Sequence, residues 1–117
     1  MQIPKPSDED KATFRSMVPE DPRVEVKPMF GNLGAFVNGN MFMGLFGSDV
    51  GVKLSAADAA ALLEVDGAGP FGPAERPMGG YVSLPVSFRG SPDATVWVGR
   101  AFDHVGALPA KPASSKS

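Results

Sequence analysis

The chain has 117 residues, 11 Lys and Arg against 13 Asp and Glu, and no cysteine. That length suits one domain able to bury a single core, and the missing thiols exclude disulfides, thiolate metal sites and thiol catalysis. A net charge of −2 offers no overall positive field toward phosphate backbones, so autonomous DNA binding is not expected.

Met1-Gln2-Ile3-Pro4-Lys5-Pro6 has no apolar run of the signal-peptide kind, and no later stretch approaches the roughly 18 apolar residues of a membrane span. The expectation is a cytoplasmic chain with no membrane contact. Ser7 can cap a first helix whose opening turn carries Asp8, Glu9 and Asp10, where the helix dipole favours negative charge. That helix runs to about Val18 with Phe14, Met17 and Val18 on one side, and Pro19 and Pro22 stop it. Val24, Val26 and Pro28 alternate with Glu25 and Lys27, the period of a half-buried strand leading into the Met29-Phe30-Gly31 corner.

Asn38-Gly39 between two apolar runs is a strong hairpin signal, because a two-residue type I′ turn needs positive φ at both central positions. With that loop Val37 faces Asn40 and Phe36 faces Met41. Strict alternation then puts Phe36, Met41, Met43 and Leu45 on one sheet face and Val37, Phe42 and Phe46 on the other. If Ser48-Asp49 is the next loop, Leu45 faces Val52 and Met43 faces Leu54, which adds two apolar residues to the first face. That face is expected to lie beneath the helices. The opposite one, with Gly44, Gly51 and Lys53 interleaved, is expected to leave Val37, Phe42 and Phe46 uncovered and to pair with a second copy as a twofold homodimer, there or at the adjoining edge.

Ser55-Ala56-Ala57-Asp58 opens an Ala-rich helix with Ala59, Leu62 and Leu63 on its stripe, and Gly67 ends it. From Gly67 to Gly80 glycine and proline recur too often for regular structure, so a long loop holding Phe71, Arg76 and Met78 is expected. Tyr81-Val82-Ser83-Leu84 follows as a strand with Val82 and Leu84 inward. Ser91-Pro92 then starts a final helix to about Leu108, with Ala94, Trp97, Ala101, Val105 and Leu108 as its stripe. Residues 1–109 read as one domain. Residues 110–117 are small, polar and proline-bearing, and read as a disordered tail.

Few residues point to reaction chemistry. His104 is the only histidine and reads as structural or surface. Gly67-Ala68-Gly69-Pro70-Phe71-Gly72 matches G-x-G-x-x-G formally, but a helix precedes it and prolines follow where a nucleotide site needs the reverse. The carboxylates of Asp8-Glu9-Asp10 and Glu20-Asp21 read as a helix start and a solvated turn. No metal, cofactor or catalytic residue is expected. The loop Phe71, Arg76, Met78 and Tyr81 is the candidate contact site, since Arg makes paired bonds to anions and Met packs adaptably; its structural alternative has Met78 in the core and Arg76 on a surface acid.

Met29-Phe30-Gly31, Gly34, Phe36, Asn38-Gly39, Met41-Phe42, Gly44, Val52-Lys53-Leu54, Pro70-Phe71, Arg76-Pro77-Met78 and Tyr81-Val82-Ser83-Leu84-Pro85 stand in an order that resembles the amino-terminal domain family of the TfoX/Sxy competence regulators. The likeness covers roughly residues 10 to 109, as a stand-alone amino-terminal domain. It implies an α+β fold with a single mainly antiparallel sheet and three helices, α-β-β-β-α-β-β-α, similar to secretion chaperones. It implies a role in regulation through a protein partner of the transcription-factor kind, and it carries over no catalytic residue. The expected function is a non-enzymatic interaction module working through protein contacts; the alternative is a small-ligand or anion-binding domain using the Arg76 loop.

Overall fold

The computed structural model describes residues 5–29, 31–72 and 77–109. Along them run α1 (Asp8–Met17), β1 (Val24–Met29), β2 (Asn32–Val37), β3 (Asn40–Phe46), β4 (Asp49–Lys53), α2 (Ala56–Leu63), β5 (Gly69–Pro70), β6 (Tyr81–Ser83) and α3 (Pro92–Gly106), with a 3-10 turn at Val86–Phe88. The strands make one six-stranded sheet in the order β1-β2-β3-β4-β6-β5, each neighbouring pair antiparallel. The fold is therefore α+β with a single antiparallel sheet and three helices. Val24–Met29 pairs along its whole length with β2 and stands as a strand of its own. The expected tail, residues 110–117, lies outside the described residues.

The helices begin where the local chemistry favours it. At α1 the Asp10 N–H donates to Ser7 Oγ at 3.0 Å while the Ser7 N–H donates to the Asp10 carboxylate at 2.9 Å, a reciprocal capping box that satisfies two otherwise unpaired donors. At α2 the Asp58 N–H donates to Ser55 Oγ at 3.3 Å. Pro92 opens α3, but the Ser91 hydroxyl turns back to donate to the Phe88 carbonyl at 2.9 Å instead of capping. The buried stripe of α3 is Ala94, Val98, Ala101 and Val105. Its centre is Val98, and the expected Trp97 and Leu108 are only half-buried at its margins.

Phe14 of α1, Leu62 of α2 and the α3 stripe join Leu33, Ala35, Val37, Phe42, Met43, Leu45, Val50, Val52, Val82 and Leu84 in one apolar cluster, so all three helices bury against the same sheet face. Removing such a side chain from water contributes about 1.5–3 kcal/mol. The hairpin turn is as expected, with Asn38 at φ 54° and Gly39 at φ 79°, and with Val37 opposite Asn40 and Phe36 opposite Met41. Its tip is tied to the end of α3. The Asn38 side-chain amide donates to the Gly106 carbonyl at 3.2 Å and that of Asn40 to the Pro109 carbonyl at 3.1 Å.

Two corrections follow from the sheet's register. The second turn is Gly47-Ser48, with Gly47 at φ 64°, so Leu45 pairs with Val50 and Met43 with Val52. A shift of two residues leaves the β4 side chains on their expected faces. The other correction is larger. The β2–β3 pairing jumps from Ala35↔Met43 to Phe36↔Met41, leaving Phe42 as an extra residue in β3. One extra residue reverses the alternation beyond it, so Phe42 turns to the same side as Met43 and into the core.

Candidate functional site

That bulge removes the expected dimer face. Val37 and Phe42 have no exposed surface, and the Phe42 ring meets Phe102 of α3 edge-on with centroids 5.3 Å apart. Phe36 and Met41, expected in the core, lie half-buried on the outer face. Phe46 does lie on the outer face, where it is also half-buried and meets the Phe71 ring edge-on at 6.3 Å. Of the three candidate dimer residues only Phe46 is on the surface where all three were placed.

The outer face is built around a row of glycines. Cross-strand pairing aligns Gly34, Gly44 and Gly51 on β2, β3 and β4, with Lys27 at one end and Ser83 at the other. Phe71, 3% exposed, lies across two of them. A Cβ on Gly51 would run into its ring, and one on Gly44 would touch it at 3.5 Å. The loop therefore covers the sheet with an aromatic side chain that only bare backbone can seat.

The candidate contact loop is thus mostly given to packing. Phe71 is buried; Met78 is half-buried, folds against Gly72, and donates its N–H to the Phe71 carbonyl at 2.8 Å. Tyr81 stands 6.1 Å from Phe71, and its hydroxyl donates to the Met41 carbonyl at 2.9 Å. Arg76 lies outside the described residues. Desolvation pushes the Tyr81 phenol up to about 12 from its ordinary value near 10. Because the folded value is raised, this contribution to stability is present below about pH 10 and is lost as pH climbs toward 12. Tyr81 is the only tyrosine, so an ultraviolet titration of tyrosinate should show one midpoint near 12, moving back to about 10 in denaturant. A native midpoint at 10 would place the ring in solvent.

Both sheet edges are blunted. On β1 the Val24 N–H already donates to the Asp21 carbonyl at 2.9 Å and Pro28 has no N–H, while the opposite edge is the two-residue β5, which ends in Pro70. Prolines and short edge strands guard against strand addition. The adjoining edge offers no better dimer surface than the face.

The surface that sequence reasoning missed lies on the helical side. A half-open groove of about 620 Å³ runs between the end of α1 and one flank of α3. Met17, Val18 and Pro19 form one wall. Ala94, Val98 and Phe102 form the floor, with Ser16, Ser91, Thr95 and Asp103 also in the lining. Gly99 sits in it with open space above, since a Cβ there would meet nothing within 4 Å. The α3 lining starts at Pro92 and recurs at 94–95, 98–99 and 102–103, a helical face about 17 Å long at 1.5 Å per residue. The available signal was Gly99, an interior helix glycine that costs about 1 kcal/mol relative to alanine and so calls for a reason.

The groove's far end is electrostatically organised. Arg23 lies over the Phe102 ring at 4.9 Å and forms a paired bond with Asp21, Nε to Oδ1 and Nη2 to Oδ2, both at 3.0 Å. The side-chain bonds from Arg23, with its backbone N–H, hold the Asp21 carboxyl down to about 2. Arg23 is raised in turn. The depressed carboxylate keeps this clasp closed above its ordinary range, and it opens only as pH falls toward 2. Asp103, exposed, forms no ion pair among the described residues and adds to the field that raises Arg23. His104, half-buried, belongs to no group of three or more metal-ligating side chains among the described residues. No helix among those residues is long and apolar enough to cross a membrane.

No curated protein and no solved structure matches the chain. A family model described as the TfoX N-terminal domain matches residues 16–105. The match takes in the whole six-stranded sheet, α2 and all but the last residue of α3, and on that extent the chain belongs to the TfoX N-terminal domain family.

Proposed function

We propose that this domain is a non-enzymatic interaction module of the regulator type, acting in the cytoplasm through protein contacts made in the α1–α3 groove. The observation that carries the reading is the groove itself: Met17, Val18, Pro19 and Phe102, all partly exposed, line it over the buried Ala94 and Val98 with a polar rim, on a molecule whose sheet edges are blunted and whose outer sheet face is partly covered by Phe71. An apolar surface rimmed by polar groups is where partners dock. The family membership supports a regulatory setting, and the partner proposed is a protein of the transcription-factor kind. Duplex DNA is a poor candidate at a net charge of −2.

Gly99→Gln supplies the test. It fills the open space over Gly99 without meeting another atom at Cβ and improves helix propensity, so the variant should fold with unchanged or slightly higher thermal stability. Affinity capture from the native cell should retain a protein on the wild type that Gly99→Gln releases. Equal retention by both would remove the groove from the account.

A further inference from the structure

Resting on that reading, we infer that the groove's occupant is an amphipathic α-helix with basic flanks, contributed by a partner protein. The lining of α3 is a helical face about 17 Å long, which matches about three turns of a second helix. Its exposed side is small where close approach matters, with Thr95 beside the open space above Gly99, while Ala94 beneath is already buried in the core. Helix axes pack about 8–10 Å apart, at the near end of that range when the side chains at the contact are small. An extended strand has a poorer seat, because Pro28 on β1 and the two-residue β5 ending in Pro70 interrupt the edges it would pair with.

Charge selects the flanks. Asp103 lines the groove and is exposed, as are Asp93 in the first turn of α3 and Glu20 beside Pro19, and none of the three forms an ion pair among the described residues, although Asp103 acts at longer range on Arg23. Against them stand Arg15 and Arg23, both exposed, with Arg23 held in its paired bond to Asp21, so four carboxylates around the groove face two guanidiniums. The accessible charge around the floor is thus mainly negative. A partner helix with Lys or Arg beside its apolar stripe complements it.

The test titrates isotope-labelled full chain with a synthetic helix of about four turns made of leucine, alanine and lysine, and with its glutamate counterpart. The lysine peptide is expected to shift amide signals at 16–18, 91 and 93–103 and to bind about tenfold more weakly to Asp103→Lys. Gly99→Gln, with its spectrum otherwise intact, should abolish those shifts. Shifts scattered over other surfaces, equal binding of the glutamate peptide, or no binding of either would each overturn the helix assignment. Loss of partner capture by Gly99→Gln would still stand in those cases, so the two readings fail separately.

Discussion

Phe42→Ala should lower stability by about 3–5 kcal/mol and leave the sedimentation of the protein unchanged. The ring has no exposed surface, packs edge-on against Phe102, and shares its cluster with Met43 and Ala101. The cavity left by its removal is walled by strands and helix that cannot close it fully. Phe46→Ala, on the opposite face and half-buried, should cost clearly less. Urea unfolding beside sedimentation separates the effects. If Phe42→Ala unfolds with the wild-type midpoint, or dissociates a dimer, the β3 bulge is misplaced and the ring faces outward.

Gly51→Ala should cost about 1–3 kcal/mol or more through overpacking, a large effect for one methyl group. The added Cβ runs into the Phe71 ring, which Phe46 and Tyr81 flank, while the chain on either side is held by the β5–β6 pairing and the Met78 N–H bond. The clash should vanish once the ring is gone. In a double-mutant cycle Gly51→Ala should therefore be much less harmful in the Phe71→Ala background. Additive costs would mean that Phe71 does not lie on Gly51.

Much of this architecture was legible in the residues. Ser7, Ser55 and Pro92 mark helix starts through capping and fixed φ, and Asn38-Gly39 sets a turn that few other dipeptides adopt. The parity of the sheet faces was not legible. Met41-Phe42-Met43 is apolar at every position, so alternation gives no warning that one residue is extra, and the core is decided by whichever packing lets both Phe42 and Met43 under the helices. Phe71 was visible as a loop aromatic beside glycines. Its seat on Gly44 and Gly51 depends on a contact between distant segments that no local pattern encodes. The groove is harder still, since it arises from how the end of α1 meets α3, and its one local trace is Gly99.

The most direct measurement places a photoreactive amino acid at Thr95, in the groove, and in a second protein at Lys53, on the sheet's outer face. Both proteins are irradiated in the native cell, and cross-linked species are identified by mass. A discrete protein adduct from Thr95 that Lys53 does not give, and that Gly99→Gln suppresses, is the predicted result. An adduct formed from Lys53 and not from Thr95 would contradict the account and move the contact surface to the sheet.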